Sequence, residues 1–300
     1  MTSDLGPMIE IVRPARGSVP VIVSSPHSGQ IYPPCVLSET RLHLNQLRRL
    51  EDAHVDRLFD MAPSHGMPLL KALFARAYVD ANREPSEFDQ DLLSDPLPAH
   101  ANGQSAKARA GLGTVPSRIS GQPIYRKRLS LDHVEQRVRG AYWPYHHALQ
   151  QLIEECQARF GRVLLLDCHS MPSFNANGAL SEGGSSKGMI DIALGDRFGS
   201  SCMSSIVRHA EAFLAGQDLR VTRNRPYAGG HITAHYGRPH LGVHALQIEI
   251  RRGLYMDESK LRLHSNVSDI KALLGGLLDI LSELMRESTR MDIAKAMPAE

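Results

Sequence analysis

Gly161-Arg162-Val163-Leu164-Leu165-Leu166-Asp167-Cys168-His169-Ser170 is the stretch that decides the architecture. Gly161 is placed to stop a helix, because a left-handed cap costs glycine almost nothing. Four apolar residues follow at once, Val163 to Leu166, a run that fits a strand covered on both faces. A helix leading straight into such a strand is a building unit of α/β folds. The run then ends on Asp167, Cys168 and His169, so the strand delivers polar groups at its carboxyl end. In open α/β sheets that is where ligands bind.

Upstream, residues 132–160 read as the helix that Gly161 stops. Asp132 and Glu135 resemble a capping box, and Val134, Val138, Ala141, Tyr145, Leu149, Leu152, Cys156 and Phe160 recur at spacings of three and four. Pro144 should kink it. Residues 19–23 form a short β-branched run that ends in Ser24-Ser25-Pro26-His27-Ser28-Gly29, a second strand entering a polar loop. Residues 44–62 read as helix, 75–79 as a short strand, and 94–122 as a long surface loop without periodicity. Downstream, 189–194 and 219–222 read as strands around a helix at 200–215. A strong strand at 243–250 and an apolar helix at 269–285 follow. Strands alternating with helices predict a single α/β domain over residues 1–300, its sheet covered by helices on both faces and residues 287–300 a frayed tail.

Composition narrows the function classes. Three hundred residues at 42% hydrophobic content can bury a substantial core. A net charge of +2, without blocks of like charge, argues against a nucleic-acid partner. Apolar runs such as Val163 to Leu166 are far below a membrane span. The first ten residues lack the apolar core of a secretion signal. The expectation is a soluble, cytoplasmic protein with a small-molecule partner and no membrane partner. No feature sets an oligomeric state. Cys35, Cys156, Cys168 and Cys202 form no Cys-x-x-Cys pair, so reduced thiols are expected rather than a zinc finger or disulfides.

Three polar groups sit where strands end or run: His27, His169 and Glu249. Strand alternation puts Asp167 with His169 on one side, and Gln247, Glu249 and Arg251 likewise together. Each has an ordinary reading. A histidine after a strand is usually a hydrogen-bonded core or cap residue. Asp52 and Asp56 are one turn apart, as on a solvated helix face, and Glu249 could pair with Arg251 or Arg252. Their coincidence favours a hydrolytic metal site, which needs three N/O ligands, an open position for water and a carboxylate base. His231 and His235, four residues apart, compete for the ion. They lack the Glu of the His-Glu-x-x-His pattern and follow Gly229-Gly230, so they read as substrate-contacting or structural. Cys168 should point away from His169, as a buried inert thiol.

Seven segments, in order along nearly the whole chain, resemble the N-formylglutamate amidohydrolase family. They are Ser25-Pro26-His27-Ser28-Gly29, Asp52-Ala53-His54-Val55, Asp80-Ala81-Asn82-Arg83, Trp143-Pro144-Tyr145-His146, Asp167-Cys168-His169-Ser170, Gly229-Gly230-His231-Ile232-Thr233 with His235-Tyr236-Gly237, and Gln247-Ile248-Glu249-Ile250. The resemblance extends to zinc carboxypeptidases and aspartoacylases. It implies their three-layer α/β fold, with a mixed central sheet and helices on both faces. It also implies one divalent ion, zinc being the expected one, bound by His27 and His169. Those relatives carry a Glu three residues after the first His, where this chain has the neutral Gln30. Asp52 therefore takes that ligand's place, with Glu51 and Asp56 as alternatives. The implied base is Glu249, with His231 as a donor to the oxyanion. Asn82 and Arg83 would clamp a substrate carboxylate, and Arg225 and His235 would make further substrate contacts. The activity implied is hydrolysis of N-formyl-L-glutamate to formate and L-glutamate, in histidine degradation. The rivals are a hydrolase for another N-acyl amino acid or small peptide, and a catalytically silent binding protein on the same fold.

Overall fold

A computed structural model describes residues 6–173 and 189–296. Seven strands make one sheet: β1 (Ile9–Val12), β2 (Val21–Ser25), β3 (Leu69–Ala72), β4 (Val163–Met171), β5 (Ile192–Gly195), β6 (Val221–Arg223) and β7 (Val243–Arg251). Their order is β1-β3-β2-β4-β7-β5-β6. β2 with β4, β4 with β7, and β5 with β6 pair parallel, whereas β5 runs antiparallel to β7. The result is a mixed sheet with helices between its strands, the α/β class expected.

β4 and β7 are fully buried along their length, which is why β4 opens on an unbroken apolar run and β7 is largely apolar apart from His244 until Gln247. Their register runs from Val163 opposite Val243 to Met171 opposite Arg251. The chain forms two compact units. One comprises Met1–Ile11, Ser25–Ala53 and Leu70–Gln150, the other Val12–Ser24, His54–Leu69 and Gln151–Glu300. In the first, Arg137 is wholly buried; its Nε has no hydrogen-bond partner among the described residues, but both terminal nitrogens are engaged. Its Nη1 donates to Tyr125 Oη at 2.7 Å and its Nη2 to Glu39 Oε2 at 2.9 Å, and the guanidinium lies over the Tyr78 and Tyr125 rings. In the second, the Ser204–Ala215 helix packs on the long Val267–Ala296 helix. Ile206, Val207, Ala210 and Leu214 are buried on one, and Leu274, Leu277, Leu278 and Leu281 on the other.

Several elements differ from expectation. Ser130, not Asp132, caps the helix before Gly161: its Oγ accepts the His133 N–H. Regular helix spans Leu131–Arg137 and Trp143–Phe160, with a π-helical turn at Val138–Tyr142 between them. Gly161, at φ +73°, is the stop. The expected helix at 44–62 breaks into Leu44–Leu47, a 3₁₀ turn at Arg48–Leu50, and Val55–Leu58. His54 at φ +67° interrupts it, and the Asp52 N–H is drawn to the His27 carbonyl. Residues 75–79 form a turn, closed by Tyr78 N–H to Ala75 O at 2.8 Å, and the strand lies earlier, at Leu69–Ala72. The loop at 94–122 contains an Ala106–Arg109 helix and a short Arg118–Ile119/Gln122–Pro123 hairpin. Ala108, Thr114 and Val115 are buried, so it is packed rather than superficial. The last helix continues past Glu287 to Ala296, since no Gly or Pro intervenes and elongation is cheap once a helix exists. Residues 297–300 of the expected tail lie outside the described residues.

His244 on β7 is buried, and its Nδ1 has no hydrogen-bond partner among the described residues. Burial, with Arg162 adding, pushes its pKa down from 6.5 to about 4. Below the unfolded-state value the unfolded chain binds a proton that the native state refuses. Stability should therefore fall as pH drops from about 6.5 towards 4, by about 2 kcal/mol between pH 7 and pH 5 from this residue. Urea unfolding at the two pH values should show that part of the acid sensitivity disappear in His244→Met. An unchanged acid sensitivity would mean that His244 titrates alike in both states.

Candidate active site

In the first unit, the chain leaves β2 through Pro26 and His27, both buried. Gly29 is required here because a Cβ would lie 2.2 Å from the Phe74 carbonyl oxygen. His27 then stands between two buried carboxylates, Nδ1 at 3.2 Å from Asp52 Oδ2 and Nε2 at 2.7 Å from Asp80 Oδ1. The Asp52 backbone is held on both sides, its N–H by His27 O and its carbonyl by Ser28 Oγ–H. Asp80 is a residue to which sequence reasoning gave no role. It accepts from Arg76 Nε at 2.9 Å and from the Asn82 N–H at 2.8 Å. Burial pushes its pKa up, but Arg76, His27 and Arg83 outweigh burial and hold the carboxyl well below the usual range. Asp80 thus orients the ring through Nε2, the carboxylate–histidine arrangement common behind metal ligands. That bond directs Nδ1 at Asp52. A lone pair facing a carboxylate needs a proton or a cation between them.

Asn82 is buried in this unit and Arg83 largely so. Arg83 does not pair with Glu84 or Glu87: Nε donates to Leu112 O and Nη1 to Asn82 O, both at 2.8 Å. Glu51 is fully buried, with Arg48 Nε and the Tyr32 hydroxyl on its carboxylate. Gln30 is exposed.

In the second unit, β4 presents Asp167 and His169 on one face, their side chains 3.0 Å apart at His169 Nε2 and Asp167 Oδ2. Register puts Gln247 of β7 opposite Asp167 and Glu249 opposite His169. On the far side of β7, the partners of Glu249 and Gln247 are the small Ala193 and Gly195. A Cβ on Gly195 would come within 2.8 Å of Gly229 N, so glycine there admits the Gly229-Gly230-His231 loop. Gly230 N–H donates to Gln247 Oε1, and Gln247 Nε2–H to Glu249 Oε1, each at 2.8 Å. Glu249 is therefore positioned by an amide relay rather than by Arg251, which is engaged by Asp191. The role of Gln247 was legible only as a shared strand face.

His231 opens the His231–Tyr236 helix and stacks on His235 at 5.2 Å between centroids. His235 is exposed, its pKa lowered by partial burial and by Arg238. Arg225 is exposed beyond β6. Cys168 is wholly buried, and burial, with Asp167 adding, pushes its thiol well up, which leaves no thiolate nucleophile.

Among the described residues, His27, Asp52 and His169 form one buried group whose ligand atoms all lie within 4.8 Å of one another. Two imidazoles and a carboxylate suit a divalent ion with an open position, so this group could hold a metal ion. Asp52, rather than Glu51 or Asp56, is the acidic member.

Residues 19–256 match the family model described as N-formylglutamate amidohydrolase. The N-formylglutamate deformylase of Pseudomonas aeruginosa is 33% identical over 258 residues, 84% of this chain and 87% of that protein. That of Pseudomonas putida is 27% identical over 251 residues, 82% and 85% of the two. Among solved structures, N-formylglutamate amidohydrolase from Ralstonia eutropha JMP134 superposes with a TM-score of 0.85 at 34% identity, covering 93% of this chain and 99% of its own. A gene product of Agrobacterium tumefaciens, at 19% identity and a TM-score of 0.61 over 91% and 96% of the two chains, shares the fold.

Proposed function

The chain belongs to the N-formylglutamate amidohydrolase family, and from that premise we propose that it hydrolyses N-formyl-L-glutamate to formate and L-glutamate with one divalent ion, zinc, held by His27, Asp52 and His169. The observation that carries the reading is the buried His27–Asp52–His169 group, with Glu249 in register beside His169. When bound, the ion would supply Lewis acidity, lowering the pKa of water and polarising the formyl carbonyl. Glu249, fixed by Gln247, takes the proton of the attacking water and returns it to the leaving nitrogen. His231 donates to the oxygen as it gains charge. Arg83 and Asn82 receive a carboxylate of the substrate, for which a planar guanidinium is the natural partner. Arg225 and His235, both exposed, complete the substrate contacts. The same reading puts the reaction in the cytoplasm, in histidine degradation.

Formate and acetate release from a panel of N-formyl and N-acetyl amino acids tests this. N-formyl-L-glutamate should exceed N-formyl derivatives of neutral amino acids in kcat/KM by about tenfold or more, since a charged contact is worth about 1.5–3 kcal/mol. A preference for an N-acetyl or neutral substrate would overturn the assignment. Absence of any turnover would make the protein a binding relative.

A further inference from the structure

Trp143-Pro144-Tyr145-His146 has no part in the chemistry above, yet the helix around it is built irregularly. Pro144 has no N–H to continue the helical ladder. The chain answers with the π-helical turn Val138–Tyr142, closed by the Trp143 N–H on the Val138 carbonyl. Such one-turn insertions recur at functional sites. The insertion leaves Tyr142 and His146 stacked, centroids 4.1 Å apart and planes at 28°.

The polar ends of both rings reach the same short segment. Tyr142 Oη–H donates to Arg83 O at 2.8 Å, and His146 Nε2 lies 2.8 Å from Ala81 O, to which it must donate because a carbonyl only accepts. The carbonyl between them, Asn82 O, accepts Arg83 Nη1. Three successive carbonyls, at Ala81, Asn82 and Arg83, are thus each held by a side chain. The guanidinium is tied at Nε and Nη1, while its Nη2 makes no hydrogen bond among the described residues. A fork tied by one edge on a fixed backbone is pre-organised to meet a planar anion with the other.

We propose that Tyr142 and His146 are positioning residues for substrate recognition: they hold the Ala81–Arg83 backbone so that the open edge of Arg83 meets a substrate carboxylate. This rests on Arg83 being the carboxylate clamp. Tyr142→Phe and His146→Phe each delete one donor while keeping an aromatic ring in the stack.

Kinetics on N-formylglutamate and on its α-amide and side-chain-amide analogues, for wild type, both variants and Arg83→Ala, provide the test. With either variant KM for the acid should rise about five- to tenfold while kcat stays within about twofold, the size expected for one lost hydrogen bond. The amide that lacks the clamped carboxylate should be unaffected, and metal content and thermal midpoint should be near wild type. Equal losses on acid and amides, or a fall in kcat, would mark the pair as merely structural and overturn the proposal. So would wild-type KM in both variants while Arg83→Ala loses its preference for the acid. Should Arg83→Ala itself keep that preference, the clamp reading fails first and the positioning role goes with it.

Discussion

Glu249→Gln should keep its metal and its fold while losing roughly two to four orders of magnitude in kcat/KM, the usual worth of a positioned general base. The geometry makes this substitution informative. Glu249 is buried on β7, and its Oε1 accepts a hydrogen bond from Gln247 Nε2. A glutamine in its place has the same volume and can still offer its carbonyl to that donor, so the Gly230–Gln247–249 relay can persist. It cannot hold a proton. The opposed residue His169 is untouched, so ion binding should be too. Formate release beside elemental analysis of the purified variant separates the two properties. A Glu249→Gln protein that turns over at the wild-type rate would reduce Glu249 to a structural member of the relay.

What was legible in the sequence follows from where the determining contacts lie. β4 declares itself because burial on both faces selects an unbroken apolar run from Val163 to Leu166, and β7 because it is largely apolar; His169 and Glu249 stand out where the apolar character gives way. Asp167 and Gln247 could be put on the correct face by alternation alone. The site residues that escaped depend on partners distant in the chain. Asp80 matters because His27, 53 residues away, turns its Nε2 toward it. Tyr142 and His146 matter because their rings reach carbonyls 59 and 65 residues away. The helix misread at 44–62 has the same cause. Its apolar spacing is helical, but Glu51 and Asp52 are pulled inward by Arg48, Tyr32 and the His27 carbonyl, and His54 adopts a left-handed conformation to allow it. Local propensity lost to the requirements of the site, which is where such reasoning is expected to fail.

Removing the metal, by chelation or by replacing a ligand, should abolish hydrolysis without unfolding the chain. A core drawn from some 300 residues does not depend on one ion, unlike a small zinc domain. Circular dichroism of chelated protein should therefore stay native-like while formate release falls to background and returns on adding zinc. His27→Ala and His169→Ala should lose both ion and activity, because three protein ligands are already the minimum for an open catalytic site. The acidic ligand is the discriminating case. Asp52→Asn keeps the volume and the backbone bonds to His27 and Ser28, but an amide is a weak ligand, so the ion should be lost. Glu51→Gln should retain it, since that carboxylate is occupied by Arg48 and Tyr32. Stoichiometric metal in Asp52→Asn together with its loss in Glu51→Gln would transfer the ligand's role to Glu51. Retention in both would leave Asp56 to be tested next. Full activity in metal-free wild type would remove the ion from the reaction altogether, and Glu249 would then have to act on water that no cation had acidified.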